Sequence, residues 1–373
     1  MRVVVIGAGT FGASLAWWLA RGGDDVTLVD QFEPGDTRAS SGGETRLIRC
    51  SHGADADYTA SARRARVLWK QIEAESGEEL MLECGMAWFA HSGDGWEAAS
   101  LRTMRALGIP AERLEVADAA RLFPSVRGDD LEFVLFEPQA GVVRAQRAVQ
   151  ILARQAVRHG ARLVRSRAQP DGDAVVLEHG ARLEGDVVVW ACGGWLPKLF
   201  GELVPVTVRR QELLFFDGGA PWRSPTVPAW VDYDRAMYGT ADVDGLGVKA
   251  ALDLEGPLLD PDGRLDDRPQ TVGTVRSYIH ERFPGLSRAR LLQTRTCRYE
   301  LTPDSHFIAD RHPEHERVWI VGGGSGHGFK HGPAMAERMA IAIAGGGPLP
   351  DRFALGARVA ARSLRTAGSG VVS

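Results

Sequence analysis

The sequence predicts an α/β fold in two parts: a parallel sheet organised around a dinucleotide-binding turn, and an α+β region with a mostly antiparallel sheet. Three observations predict it. The run Val3-Val4-Val5-Ile6 breaks into Gly7, Gly9 and Gly12, and residues 13–20 carry helix formers at helical spacing, which reads as strand, tight turn and helix. The apolar run Val26-Thr27-Leu28-Val29 then ends at Asp30, where a Rossmann-like unit places an acid for a ribose hydroxyl. Strand, glycine loop and helix recur at residues 317–321, 322–328 and 333–344, so the nucleotide-binding sheet is expected to be assembled from segments far apart in the chain.

Each part of the opening unit has a physical task. Gly7 permits the turn, Gly9 has no Cβ to keep a pyrophosphate from the backbone, and Gly12 lets the helix lie close on the strand. The helix N-terminus adds unpaired N–H groups and about half a positive charge. NAD and FAD satisfy this unit equally well.

A chain of 373 residues suggests about two domains. The net charge of −4 supplies no basic excess for nucleic acid phosphates. No apolar run approaches the length of a membrane span, and the first strand follows Met1-Arg2 directly, so neither a membrane segment nor a signal peptide is expected. Cys50, Cys84, Cys192 and Cys297 stand far apart, without metal-ligand or redox-pair spacing. A cytoplasmic, disulfide-free protein without a metal site is the expectation.

Residues 31–41 are rich in Pro, Gly, Asp and Ser, and the stretch from Gly42 to Arg49 brings Arg46 and Arg49 three apart. That pattern suits a loop feeding a helix or bent strand beneath a charged ligand, or a solvated turn. Residues 58–75 read as a helix with Leu68, Trp69 and Ile72 on one side. Residues 80–89 turn strand-like, with Gly85 marking a bend. Helices at 97–107 and 117–122, a strand at 131–136 and a helix at 144–159 follow. Strands at 161–165 and 174–177 are expected to form a meander beside the first sheet. A buried strand at 186–190 runs into Gly193, Gly194 and Trp195, where either the close approach of a cofactor or a simple turn explains the glycines. Strands at 212–216, 229–233, 236–238 and 247–251, with a helix at 271–283, make the antiparallel wall expected to receive substrate. Residues 361–373 read as a loose tail.

Three blocks carry a family resemblance: Gly7 to Asp30, Ser40 to Arg49, and Thr296-Cys297-Arg298-Tyr299-Glu300-Leu301-Thr302-Pro303-Asp304 continuing to Ser325-Gly326-His327-Gly328-Phe329-Lys330. Together they resemble the monomeric sarcosine oxidase and N-methyltryptophan oxidase family, FAD-dependent amine oxidases of the D-amino-acid oxidase superfamily. The resemblance runs from the first strand to the final helix. It implies a glutathione-reductase-like FAD-binding domain over residues 1–80, 142–204 and 305–360, and a substrate domain over 81–141 and 205–304.

The resemblance implies FAD rather than NAD, with Cys297 where the family's cysteine forms a thioether to the flavin 8-methyl group. A lone Cys is otherwise a small buried hydrophobe. FAD contacts are implied for Gly7, Gly9, Gly12, Asp30, Ser40, Ser41, Thr45, Arg46, Gly193, Trp195, Cys297, Gly324, Gly326, His327, Gly328, Phe329 and Lys330. Arg49 and Lys330 match the pair that holds the substrate carboxylate, a bidentate guanidinium beside a point charge. Tyr238 and Asp253 complete the implied substrate site. Lys249 matches the lysine that promotes reaction with O2 by stabilising developing negative charge, and Arg46 and Tyr238 join it as catalytic groups.

Two positions depart from the sarcosine enzymes, which carry histidines where this chain has Gly42 and Asp253. Loss of one ring leaves room, and an acid in place of the other can attract a cationic or hydrogen-bond-donating group, which counts against sarcosine itself and makes a cyclic imino acid a candidate; the other reading of Asp253 is a solvated carboxylate in the acidic run 253–260. The expected activity is oxidation of a secondary-amine amino acid, N-methyl or cyclic, to an imine, with O2 reduced to H2O2 by a monomer. Two alternatives stand beside it: a flavin dehydrogenase of the same substrates using another acceptor, and a non-catalytic FAD-binding subunit.

Overall fold

Val3, Val4, Val5 and Ile6 are almost wholly buried, and the strand they form, Arg2–Ile6, sits inside a six-stranded sheet. The computed structural model describes residues 1–263, 269–361 and 364–365. The sheet order is Ile308–Arg311, Val318–Gly322, Val187–Trp190, Arg2–Ile6, Asp25–Asp30 and Arg162–Arg165. Its neighbours are parallel except Ile308–Arg311, which runs antiparallel at one edge. Continuous Val/Ile runs are what a parallel sheet covered on both faces demands. Val3, Val5, Val26 and Leu28 pack with Leu15, Trp17, Leu152 and Met335 from the helices Thr10–Arg21, Ala145–Arg158 and Gly332–Ile343. Val4, Ile6 and Val188 meet Leu196, Val204 and Val175 on the other face.

The strand expected at 161–165 is not part of the meander. Arg162–Arg165 pairs in parallel with Asp25–Asp30, because the helix Ala145–Arg158 immediately before it carries the chain across the sheet and returns it in the same direction. The meander is built instead from Ala168–Asp171, Ala174–Leu177 and Arg182–Leu183.

A second sheet of eight strands orders as Leu291–Leu301, Thr207–Phe216, Val248–Leu252, Met237–Thr240, Ala229–Asp232, Met86–Ala90, Phe133–Glu137 and Glu112–Leu114. It is antiparallel except where Ala229–Asp232 lies parallel to Met86–Ala90. Leu291–Leu301 has no counterpart among the strands read from sequence, because Arg295, Arg298 and Glu300 interrupt its apolar alternation. It pairs along Thr207–Phe216, with Cys297 opposite Gln211. The stretch after Gly42 forms the strand Thr45–Ile48, which pairs with Gly141–Arg144.

The helix Ala56–Ser76 has both of its stops written locally. The Asp55 carboxylate accepts from the Tyr58 N–H at 2.9 Å, and Gly77 closes the other end in the left-handed region at φ 72°. Trp69 on its inner side stacks on Phe329, with centroids 5.9 Å apart and planes at 2°, and donates its indole N–H to the Lys330 carbonyl at 2.9 Å. The helix thereby anchors the turn that carries Lys330.

Candidate active site

The glycine turn closes as its residue types require. Gly7 lies at φ 100°, and a Cβ there would sit 2.4 Å from the Ala191 carbonyl oxygen; one on Gly12 would sit 1.8 Å from the Gly7 carbonyl oxygen. The helix Thr10–Arg21 that follows has no side-chain cap and no acid in its first turn, so its N–H groups are left for a ligand. They open on a cleft of about 240 Å³ lined by Gly7, Gly9, Asp30, Ser40, Ser41 and Arg46, and also by Gly193, Trp195, Gly324, Gly326, Gly328 and Phe329.

The residues present fit an FAD. Asp30 ends its strand in the cleft, with its carboxylate taking the Ala8 and Phe32 N–H groups at 2.6 and 2.8 Å. Burial raises its pKa above the usual carboxylate value. Arg298, 3% exposed, lines the cleft with Nε and Nη1 lacking any hydrogen-bond partner among the described residues. A buried guanidinium with orphaned donors is a place for an anion. Glu300 faces the same space, and burial lifts its carboxyl to about 7.

A second cavity of about 70 Å³ adjoins the first, sharing Arg46, Tyr299, Gly326 and Phe329 with it. Arg49, Tyr238, Lys249, Asp253 and Lys330 all line this smaller space. Arg49 donates to the Ser51 carbonyl and lies 4.9 Å from the Trp88 ring centroid; burial pulls its pKa down to about 10. Lys330 donates to the His327 carbonyl at 2.9 Å, and burial, aided by the Arg49 charge, pushes its pKa well below the normal lysine value. Lys249 donates to Thr45 Oγ1 at 2.7 Å, and burial followed by repulsion from Arg46 lowers it to about 7. A small chamber with several confined cations is suited to a compact anion.

Not every residue assigned to the cofactor lines the larger cleft directly. Thr45, His327 and Lys330 line the smaller cavity and not the larger. Gly12 stands behind the turn as a spacer. Cys297 stands directly behind two residues that line the cleft: its Sγ lies 3.3 Å from Arg46 Nη2 and 3.9 Å from the Ser40 carbonyl oxygen. Gly42 does not open room as expected: a Cβ there would meet the Asp36 carbonyl oxygen at 2.3 Å, so backbone already fills the space. Asp253 is not available to a substrate cation alone, since Arg365 Nη1 holds its carboxylate at 2.6 Å and its carbonyl at 3.1 Å.

The family model DAO, FAD dependent oxidoreductase, matches residues 2–341. The chain belongs to this family. Its cofactor is accordingly FAD, and it is an oxidoreductase. It is 31% identical to a monomeric sarcosine oxidase of Streptomyces avermitilis, over 92% of this chain and 94% of the relative. It is 28% identical to an N-methyl-L-tryptophan oxidase of Yersinia pestis, over 91% of this chain and 94% of that one. The L-proline dehydrogenase of P. horikoshii superposes with a TM-score of 0.83 at 21% identity, covering 94% of this chain and 96% of the other, which shows a shared fold.

Sequence reasoning missed three features of this family member's site. Tyr299 lines both cavities and its hydroxyl lies 3.3 Å from that of Tyr238; its place two residues after Cys297, on the same face of a strand, was the available signal. Arg365, expected in a loose tail, is 6% exposed and lines the smaller cavity. The remainder of that tail, 362–363 and 366–373, lies outside the described residues. His52 and His331 pack against His327, and no sequence spacing announces that group.

Proposed function

We propose that this protein is an FAD-dependent oxidase of a secondary-amine amino acid, N-methyl or cyclic, acting as a monomer and releasing an imine and H2O2. The observation that carries the reading is the confinement of Arg49 and Lys330, with Tyr238 and Lys249, in one small cavity that adjoins the dinucleotide cleft. FAD, when bound, supplies the acceptor for two electrons.

Arg49 and Lys330 bind the carboxylate, and their charges also disfavour protonation of the amine beside it. An unprotonated amine leaves its carbon free to give up a hydride equivalent without a protein base. The Tyr238 and Tyr299 rings wall the chamber and keep out water. The substrate loses a hydride equivalent from carbon and a proton from nitrogen; O2 takes both electrons, and two protons complete H2O2. Water then hydrolyses the imine. Lys249 is the cation for the oxygen half of the reaction, and Cys297 is the residue for covalent flavin attachment.

An anaerobic panel of N-methyl and cyclic amino acids, each beside its decarboxylated analogue, tests the reading. At least one carboxylated amine bleaches the flavin absorbance, and its decarboxylated partner does so at least ~100-fold less effectively, consistent with loss of a charge-assisted contact of about 3 kcal/mol. If no amine bleaches the flavin, the assignment fails. Bleaching without oxygen uptake or peroxide on aeration makes the protein a dehydrogenase instead.

A further inference from the structure

Three buried imidazoles converge beside the smaller cavity, one of them, His327, lining it together with Arg49 and Lys330. His52, His327 and His331 are 4%, 6% and 0% exposed. One ring nitrogen from each lies within 4.8 Å of the others. The remaining nitrogen of every ring is held by an oxygen: His52 Nδ1 by the Cys50 carbonyl at 3.0 Å, His327 Nε2 by the Ser305 carbonyl at 2.9 Å, and His331 Nδ1 by the Ser61 hydroxyl at 3.0 Å.

Two of these oxygens are carbonyls, which only accept. The proton of His52 therefore sits on Nδ1 and that of His327 on Nε2, leaving the lone pairs on His52 Nε2 and His327 Nδ1. His52 Nε2 meets His331 Nε2 at 3.3 Å. His327 Nδ1 has no hydrogen-bond partner among the described residues. Without a metal the His331 Nε2–H donates to His52 Nε2, and in the cluster His327 Nδ1 alone is left unpaired. A buried ring nitrogen without a partner, on a ring packed against two other imidazoles, is costly in a purely structural cluster and normal in a metal site.

We infer that His52, His327 and His331 form a binding site for a divalent late transition metal of the zinc type. Three neutral nitrogen donors without carboxylate or thiolate select zinc, cobalt, nickel or copper over magnesium or calcium. Metal–nitrogen bonds of roughly 2.0–2.1 Å set the donors roughly 3.3 Å apart in a tetrahedral arrangement. The His52–His331 separation of 3.3 Å already meets that value, and the third nitrogen, within 4.8 Å of both, has to close in on binding. Each ring's distant N–H then donates to an oxygen, the arrangement that orients metal-ligating histidines.

Arg49 and Lys330 oppose a cation here. The buried Glu137 carboxylate offsets part of that, since it accepts from the Cys50 N–H at 2.8 Å and from the Ser51 hydroxyl, directly before His52. The position suggests the metal's role. It ties the segment that follows the strand Thr45–Ile48 to the start of the helix Gly332–Ile343, and those two segments carry Arg49 and Lys330. The metal thus fixes the separation of the two cations.

The test uses the flavin-loaded full chain, stripped with dipicolinate and titrated with Co2+, read in the d–d bands beyond the flavin absorbance, then with Zn2+ and elemental analysis. About one metal binds per chain, and X-ray absorption of the cobalt protein shows three imidazole ligands. His331→Phe and His52→Gln, with flavin colour retained, each bind at least ~100-fold more weakly. Ser61→Ala weakens binding about 10-fold by releasing the His331 ring. His312→Ala, which breaks up the His312–His315 pair with centroids 4.6 Å apart, leaves the stoichiometry unchanged. Binding below about 0.1 metal per wild-type chain, fewer than three imidazoles in the absorption spectrum, or undiminished binding in His331→Phe overturns the site.

Discussion

Lys249 sits where one proton changes its character, because burial beside Arg46 brings its pKa to about 7. If its charge assists reaction with O2, that assistance is full below this pH and lost as the pH rises through it. Protein photoreduced without substrate and mixed with aerated buffer should reoxidise more slowly as the pH rises through about 7. Lys249→Met should be slow throughout, by about 10²–10³-fold, the usual cost of removing a preorganised electrostatic partner, with amine-driven bleaching changed only a fewfold. Equal slowing of both halves would remove the assignment. Cys297 makes a separate prediction from its place against Arg46 and Ser40. Acid precipitation should leave the colour in the wild-type pellet and release it from Cys297→Ala; release from both would mean the flavin is held without a bond.

The turn and helix at residues 7–21 were legible because steric demand there falls on residue type. Gly12→Ala should destabilise the protein by about 3 kcal/mol or more, since the added methyl collides with a backbone carbonyl that cannot rotate away. Weak FAD retention and a lower unfolding midpoint would show it, whereas an unchanged midpoint would mean the helix can shift. The parallel strands Arg2–Ile6, Asp25–Asp30, Val187–Trp190 and Val318–Gly322 were equally readable from their apolar runs, whereas Arg162–Arg165, with an arginine at each end, was expected in the meander. Leu291–Leu301 was not, since its outer face is charged and half-exposed, and only its partner Thr207–Phe216 defines its length. The same limit applied to the site. Arg49 and Lys330 stand in recognisable blocks, but His52 pairs with His331 across 279 residues, and no local pattern encodes a contact of that range.

The two ends of the chain meet around one chamber, and the last described residue shows how far that integration reaches. Arg365 crosses from the C-terminal segment to Asp253 with side-chain exposures of 4% and 16%, and its guanidinium lies 5.1 Å from the Tyr299 ring centroid. Burial raises the Asp253 pKa and the Arg365 charge opposes that rise, so removing the arginine leaves a buried carboxylate without its ion-pair partner, supported only by the Tyr299 hydroxyl and the Arg49 charge. Arg365→Met should therefore cost about 3–5 kcal/mol, the range for breaking one side of a buried pair. Asp253→Asn in the same chain should restore most of it, because the amide requires no counter-charge. Chemical denaturation of the wild type, both single variants and the double variant gives the coupling directly. A double variant no more stable than Arg365→Met would show that the arginine acts by packing on Tyr299 and not by charge. In that case the acid at position 253 would be open to a substrate ammonium, and cationic amines should then compete for the chamber.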